Sequence, residues 1–253
     1  MTVELFSETV NVPAADGVAD AFFTRPASGG PHPAVLLYTD AFGIRPALEA
    51  HAQRLAAHGY CVFAPNVFYR HGLSPVVENI EQLVGGSDRA ALFAVLGPMM
   101  KALTPEATIA DSQAWLTFLR SRDDVREGPI GTVGYCLGGR LSLRMAGEFA
   151  DAVAAAASFH GGNLATGEDD SPHLSAVRAA GELYIGHADN DGSMDPEQMG
   201  RLTRALADAH VRHTAELYVG AQHGWTQTDT PVYDEASAER HWMRLLELYG
   251  RVL

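Results

Sequence analysis

Ile130-Gly131-Thr132-Val133-Gly134-Tyr135-Cys136-Leu137-Gly138-Gly139 is the stretch on which the fold turns. Its first six residues form an uncharged run that predicts a strand over 130–135, and a helical pattern over 138–149 follows at once. Cys136 stands at the junction between Gly134 and Gly138, the G-x-C-x-G form of a nucleophile elbow. The glycines answer a steric need, because side chains flanking so sharp a turn would collide with the neighbouring strand and helix. The turn lifts the sulfur above the sheet and sets it at a helix N-terminus, where free N–H groups and the helix dipole favour negative charge. The Leu137 N–H is then a natural oxyanion donor. The bland alternative is a packing cysteine beside a tight turn, and the paired glycines in a strand–helix context weigh against it.

Outward from the elbow, apolar runs alternate with amphipathic stretches. Strands are predicted over 18–24, 34–39, 60–64, 153–160, 182–187 and 215–219, and helices over 46–58, 88–103, 104–120, 195–210 and 233–249. The helix over 104–120 begins Thr104-Pro105, an N-cap followed by proline at the first helical position. This alternation predicts an α/β fold, a mostly parallel sheet with helices on both faces, formed as a single domain over residues 1–253. No turn-rich break is long enough to read as an interdomain linker.

In open α/β sheets the chemistry collects at the carboxyl ends of strands. Gly186-His187-Ala188-Asp189 ends one strand and supplies an acid, with Asp191 and Asp195 close by as alternatives. Gly220-Ala221-Gln222-His223-Gly224 ends the last strand and supplies a histidine. Nucleophile, acid and histidine fall in the chain order of a hydrolase triad. Thr39-Asp40-Ala41 ends the first buried strand. The Ala41 N–H is the expected second oxyanion donor, and Asp40 is a carboxylate that needs either a partner or a task; an Asx-turn is its structural alternative. Cys61 lies inside an apolar run and reads as core.

Composition excludes other classes. A net charge of −13 argues against nucleic acid and against anionic membrane surfaces. Two cysteines exclude a disulfide scaffold, residues 1–13 lack the marks of a signal peptide, and no apolar run is long enough to span a membrane. The expectation is a cytoplasmic protein without cofactor or metal, a monomer or homodimer whose partner is a small-molecule substrate. His210 and His213 have no third ligand at metal spacing. Trp225 stands two residues after His223, where a cysteine-dependent amidotransferase would carry Glu, and no glycine-rich phosphate loop occurs.

The Gly-Tyr-Cys-Leu-Gly-Gly, Asp-Ala-Phe-Gly, Gly-His-Ala-Asp and Gln-His-Gly motifs together resemble the dienelactone hydrolase family, from about Val18 to Tyr249. The resemblance implies an α/β-hydrolase fold without a large lid domain. It implies a Cys–His–Asp triad on Cys136, His223 and Asp189, hydrolysing an ester or lactone. It also implies a thiol-activating acid at Asp40, one methylene shorter than the glutamate usual in the family. The family holds a substrate carboxylate with arginines, one of them four residues after the catalytic histidine; here that position is Gln227, which admits an uncharged substrate. Arg45, Arg70, Tyr135 and Trp225 are the candidate substrate-binding residues. The competing expectation is a non-catalytic small-molecule-binding protein on the same fold.

Overall fold

The computed structural model describes residues 3–84 and 89–253, in two compact units, 1–127 and 128–253. Met1, Thr2 and Asp88, the residue at which the sequence predicts a helix to begin, lie outside the described residues.

In the first unit, β1 (Leu5–Ala14) and β2 (Gly17–Pro26) form an antiparallel hairpin closed by Ala15 and Asp16. The sequence reading has no strand at β1. β3 (Ala34–Tyr38) is followed by α1 (Pro46–Ala57) and β4 (Cys61–Pro65), and the strand order is β1-β2-β4-β3. β2 runs antiparallel to β4, while β3 and β4 are parallel. All five residues of β3 and of β4 are buried, as continuous apolar runs require. α2 (Ile80–Val84), α3 (Arg89–Lys101) and α4 (Pro105–Arg120) complete the unit. The side chain of Thr104 caps α4 by accepting from Ala107 N, and Trp115 of that helix packs on Phe63 with ring centroids 5.8 Å apart.

The second unit holds β5 (Ile130–Tyr135), α5 (Leu137–Glu148), β6 (Val153–Phe159), α6 (Pro172–Ala176), β7 (Glu182–Ala188), α7 (Pro196–Asp208), β8 (His213–Tyr218) and α8 (Glu235–Val252). Its strands run in the order β5-β6-β7-β8, all parallel. Ser158 and Phe159 are successive residues of β6, so their side chains leave opposite faces of the sheet. Ser158 Oγ lies 2.3 Å from where a Cβ on Gly139 of α5 would stand, whereas the Phe159 ring meets His241 of α8 at 4.5 Å. α5 and α8 therefore cover opposite faces. Among the described residues, no helix is long and apolar enough to cross a membrane.

Candidate active site

Cys136 joins β5 to α5 with φ 53° and ψ −114°, a backbone conformation that a side-chain-bearing residue adopts only under constraint. Strain of this kind costs about 1–3 kcal/mol. Backbone bonds on both sides hold it: Cys136 N donates to Phe159 O at 3.1 Å, and Gly139 N donates to Cys136 O at 3.1 Å. Gly134 is what lets the helix start so close to the strand, since a Cβ there would sit 1.9 Å from Gly138 O. The turn leaves Cys136 half-buried, with Leu137 opening α5. The Leu137 N–H belongs to the first helical turn, where no intrahelical acceptor exists. Cys61 is the contrast: its thiol is buried in β4, donates to Asp124 O at 3.2 Å, and is pushed by burial up to about 12.

His223 follows β8 and Asp191 follows β7. His223 Nδ1 donates to Asp191 Oδ2 at 2.6 Å, and the other oxygen, Oδ1, accepts from Ser193 N at 2.8 Å and Ser193 Oγ at 2.7 Å. Burial opposes charge on His223, but hydrogen bonds to Asp191 and to Cys136, with the negative charge of both, raise its pKa to about 10. The His223 ring thus stands between the carboxylate of Asp191 and the thiol of Cys136. Burial of Asp191 works against its ionisation, yet its bonds from His223 and Ser193 hold it below the usual carboxylate range.

The acid beside His223 is thus Asp191, and the expectation for Asp189 is corrected. Asp189 Oδ2 accepts from Gly220 N at 2.9 Å and its own N–H donates to Ala221 O at 2.8 Å, which laces the β7 loop to the β8 loop. Between the two aspartates Asn190 takes φ 53°, a left-handed step that turns the chain and brings Asp191 inward. Asp195, the other alternative, caps α7 at the surface by accepting from Gln198 N.

The other expected residues sit as follows. In the first unit, Arg45 Nη1 and Nη2 donate to Asp40 Oδ1 and Oδ2, both at 2.8 Å, and Phe42 N donates to Asp40 Oδ1 at 2.9 Å. Both side chains are at most 3% exposed. The buried carboxylate finds its partners in its own loop: the Phe42 N–H closes an Asx-turn on Asp40, and the Arg45 guanidinium pairs with both its oxygens. Ala41 is buried in the same turn. Arg70 is also committed elsewhere, to Asp16 at 2.7 Å and Asp111 at 2.7 Å.

Tyr135 and Trp225 are both fully buried. The Tyr135 hydroxyl pairs with His241 Nε2 at 3.1 Å, and Trp225 stacks on Tyr218 at 4.7 Å. Gln227 is likewise buried, its amide donating to Thr226 Oγ1 at 3.2 Å. The sequence reading passes over His160, which follows β6 with φ 40°. Its ring lies 5.2 Å from that of His223 and 4.9 Å from Trp225, with Nε2 2.8 Å from Thr226 Oγ1. His160 thus stands between the His223 ring and Trp225. Only the placement of His160 at a strand end signals this in the sequence.

Comparison with known proteins assigns the chain a family and a fold. Residues 19–253 match the dienelactone hydrolase family. A carboxymethylenebutenolidase of Rhodococcus opacus is 28% identical over 226 residues, covering 87% of this chain and 81% of that one. Among solved structures, a candidate dienelactone hydrolase of Klebsiella pneumoniae superposes with a TM-score of 0.84 at 21% identity, over 98% of this chain and 99% of that one. The dienelactone hydrolase-like promiscuous phosphotriesterase P91 from metagenomic libraries gives 0.79 at 21% identity, covering 98% of each chain. The α/β-hydrolase fold expected from the sequence is the fold of this chain.

Proposed function

This chain belongs to the dienelactone hydrolase family, and from that premise we propose that it hydrolyses esters or lactones through a Cys136–His223–Asp191 triad. The observation that carries the reading is the position of His223, hydrogen-bonded at once to Cys136 and to Asp191.

The Cys136 thiolate attacks the carbonyl carbon, a carbon–sulfur bond forms, and the carbonyl π electrons move to oxygen. The Leu137 N–H stabilises that oxyanion; one such donor is worth about 10²–10³ in kcat. Collapse breaks the bond to the leaving oxygen, which takes the proton of the His223 imidazolium. His223, now neutral, removes a proton from water as the water attacks the thioester. The second collapse releases the acid product, regenerating the thiolate and the imidazolium. Asp191 holds His223 in the tautomer that presents Nε2 to the reaction and stabilises its charged form.

For substrate we assign an uncharged ester or lactone. Arg45 and Arg70 are engaged with aspartates, and position 227 carries a buried amide in place of a guanidinium. The test is a hydrolysis screen of paired esters and lactones, with and without a carboxylate, on the parent protein and on Cys136→Ala. Cys136→Ala should lose about 10³-fold or more in kcat/KM. Full activity in that variant overturns the nucleophile assignment, and preference for carboxylate-bearing members overturns the substrate assignment.

A further inference from the structure

Ser193 serves a single oxygen with both its backbone and its side chain. Its N–H and its Oγ–H each donate to Asp191 Oδ1, at 2.8 and 2.7 Å. Oδ2 is thereby left to His223 alone, at 2.6 Å. The Ser193 Oγ also stands 3.5 Å from His223 Nδ1, so one hydroxyl lies against both members of the pair.

The serine is itself anchored from another loop. Asn163 N donates to Ser193 O at 2.6 Å, and Asn163 takes φ 53° beside Gly162. A Cβ on Gly162 would fall 2.5 Å from Ser193 Oγ and 2.9 Å from its Cβ, so only glycine leaves the hydroxyl where it is. The loop after β6 thus fixes Ser193, and Ser193 fixes the carboxylate that orients His223. His187 in β7, another titratable neighbour of Asp191, is buried, and neither of its ring nitrogens has a hydrogen-bond partner, so it does not compete for the carboxylate.

We propose that Ser193 is a positioning residue of the hydrolytic site, a clamp that locks the Asp191 carboxylate in the rotamer presenting Oδ2 to His223, with Gly162 as the packing feature that seats the clamp. The proposal rests on the triad reading above. Without the Oγ–H bond, Oδ1 keeps only the Ser193 N–H, and the carboxylate is freer to turn about its Cβ–Cγ axis. The His223 ring is then aimed less well at the leaving oxygen, and Asp191 loses a bond that favours its ionised form.

The experiment compares the parent protein with Ser193→Ala, Ser193→Thr and Gly162→Ala in kcat, KM and pH profile, using p-nitrophenyl acetate as probe. Cys136→Ala and His223→Ala are assayed beside them. Ser193→Ala should lower kcat about tenfold with KM within about twofold, and should move the acid limb of kcat/KM up by about one pH unit. Ser193→Thr, which keeps the hydroxyl, should restore both. Gly162→Ala should reproduce the Ser193→Ala profile while the serine is still present. If Cys136→Ala and His223→Ala abolish turnover but Ser193→Ala leaves kcat and the acid limb at parent values, the clamp is wrong and the triad stands. If Cys136→Ala retains turnover, the triad reading itself fails. A fall in kcat with an unmoved acid limb and no rescue by threonine assigns Ser193 a merely structural role and overturns the proposal.

Discussion

Asp189 and Asp191 carry the same side chain two residues apart, and their surroundings give them different work. Asp191 is 4% exposed at the side chain and shares a short hydrogen bond with His223. Asp189 accepts a backbone N–H at the loop surface. Asp191→Asn should therefore lower kcat/KM by about 10³–10⁴-fold, because the amide favours the wrong imidazole tautomer. Asp189→Asn should stay within a few-fold of the parent, since an amide oxygen can still accept from Gly220 N. Steady-state hydrolysis of p-nitrophenyl acetate by both variants checks this, and equal losses would show that the two carboxylates share the role. The contrast also marks how far residue-level reading reaches. Gly134 and Gly138 around Cys136 admit so sharp a turn that the proposed nucleophile can be picked out in the chain. The acid is not, because three aspartates lie within seven residues and a single left-handed step at Asn190 decides which one faces inward. His160 is hidden for a similar reason: what makes it matter is its 5.2 Å approach to His223, which no sequence spacing encodes.

Elements were legible where burial imprints a period and where caps carry the right chemistry. β5 spans the residues the pattern predicts, and α4 begins behind the Thr104 cap that the Thr-Pro pair announces. β1 leaves no such imprint. It is bonded to β2 on one side only, most of its residues are exposed or half-exposed, and Pro13 sits in it without an N–H to donate. The cap gives an element-scale prediction. Thr104 Oγ1 accepts from Ala107 N at 3.3 Å, satisfying one of the four unpaired N–H groups at the start of α4. Thr104→Ala should cost about 1 kcal/mol in urea unfolding, while Thr104→Ser should cost a few tenths at most. Equal losses in the two variants would mean that packing of the threonine methyl, and not the cap, holds the end of the helix.

For the whole molecule, alternation of apolar runs with amphipathic stretches was enough to specify an α/β protein, because each parallel strand needs a crossover helix and both periods are written along the chain. The sequence is silent on how buried ionisable groups balance, and two histidines in the second unit pull stability in opposite directions. Burial in β7, against the opposing pull of Asp191, depresses His187 to about 4. Between its unfolded value of about 6.5 and about 4, the unfolded chain binds more protons at this site than the folded one, so stability falls as pH is lowered. For a side chain this buried the loss is on the order of 3 kcal/mol. His173, lowered by burial and by the charge of Arg201, adds in the same direction. His223 behaves oppositely. Its pKa is raised to about 10, so its contribution is fully present below about 6.5 and disappears as pH rises through 10. Asp191, lowered from the ordinary carboxylate value, gives way only at still lower pH than His187. The two windows meet near neutrality, where unfolding midpoints of the parent protein should peak. His187→Leu removes the titration while filling the same apolar space. Its unfolding free energy should therefore decline less than the parent's between pH 6.5 and 4, and should track the parent above pH 7. Parallel decline of both proteins across the acid window would show that the neutral His187 imidazole is not what makes this unit sensitive to acid.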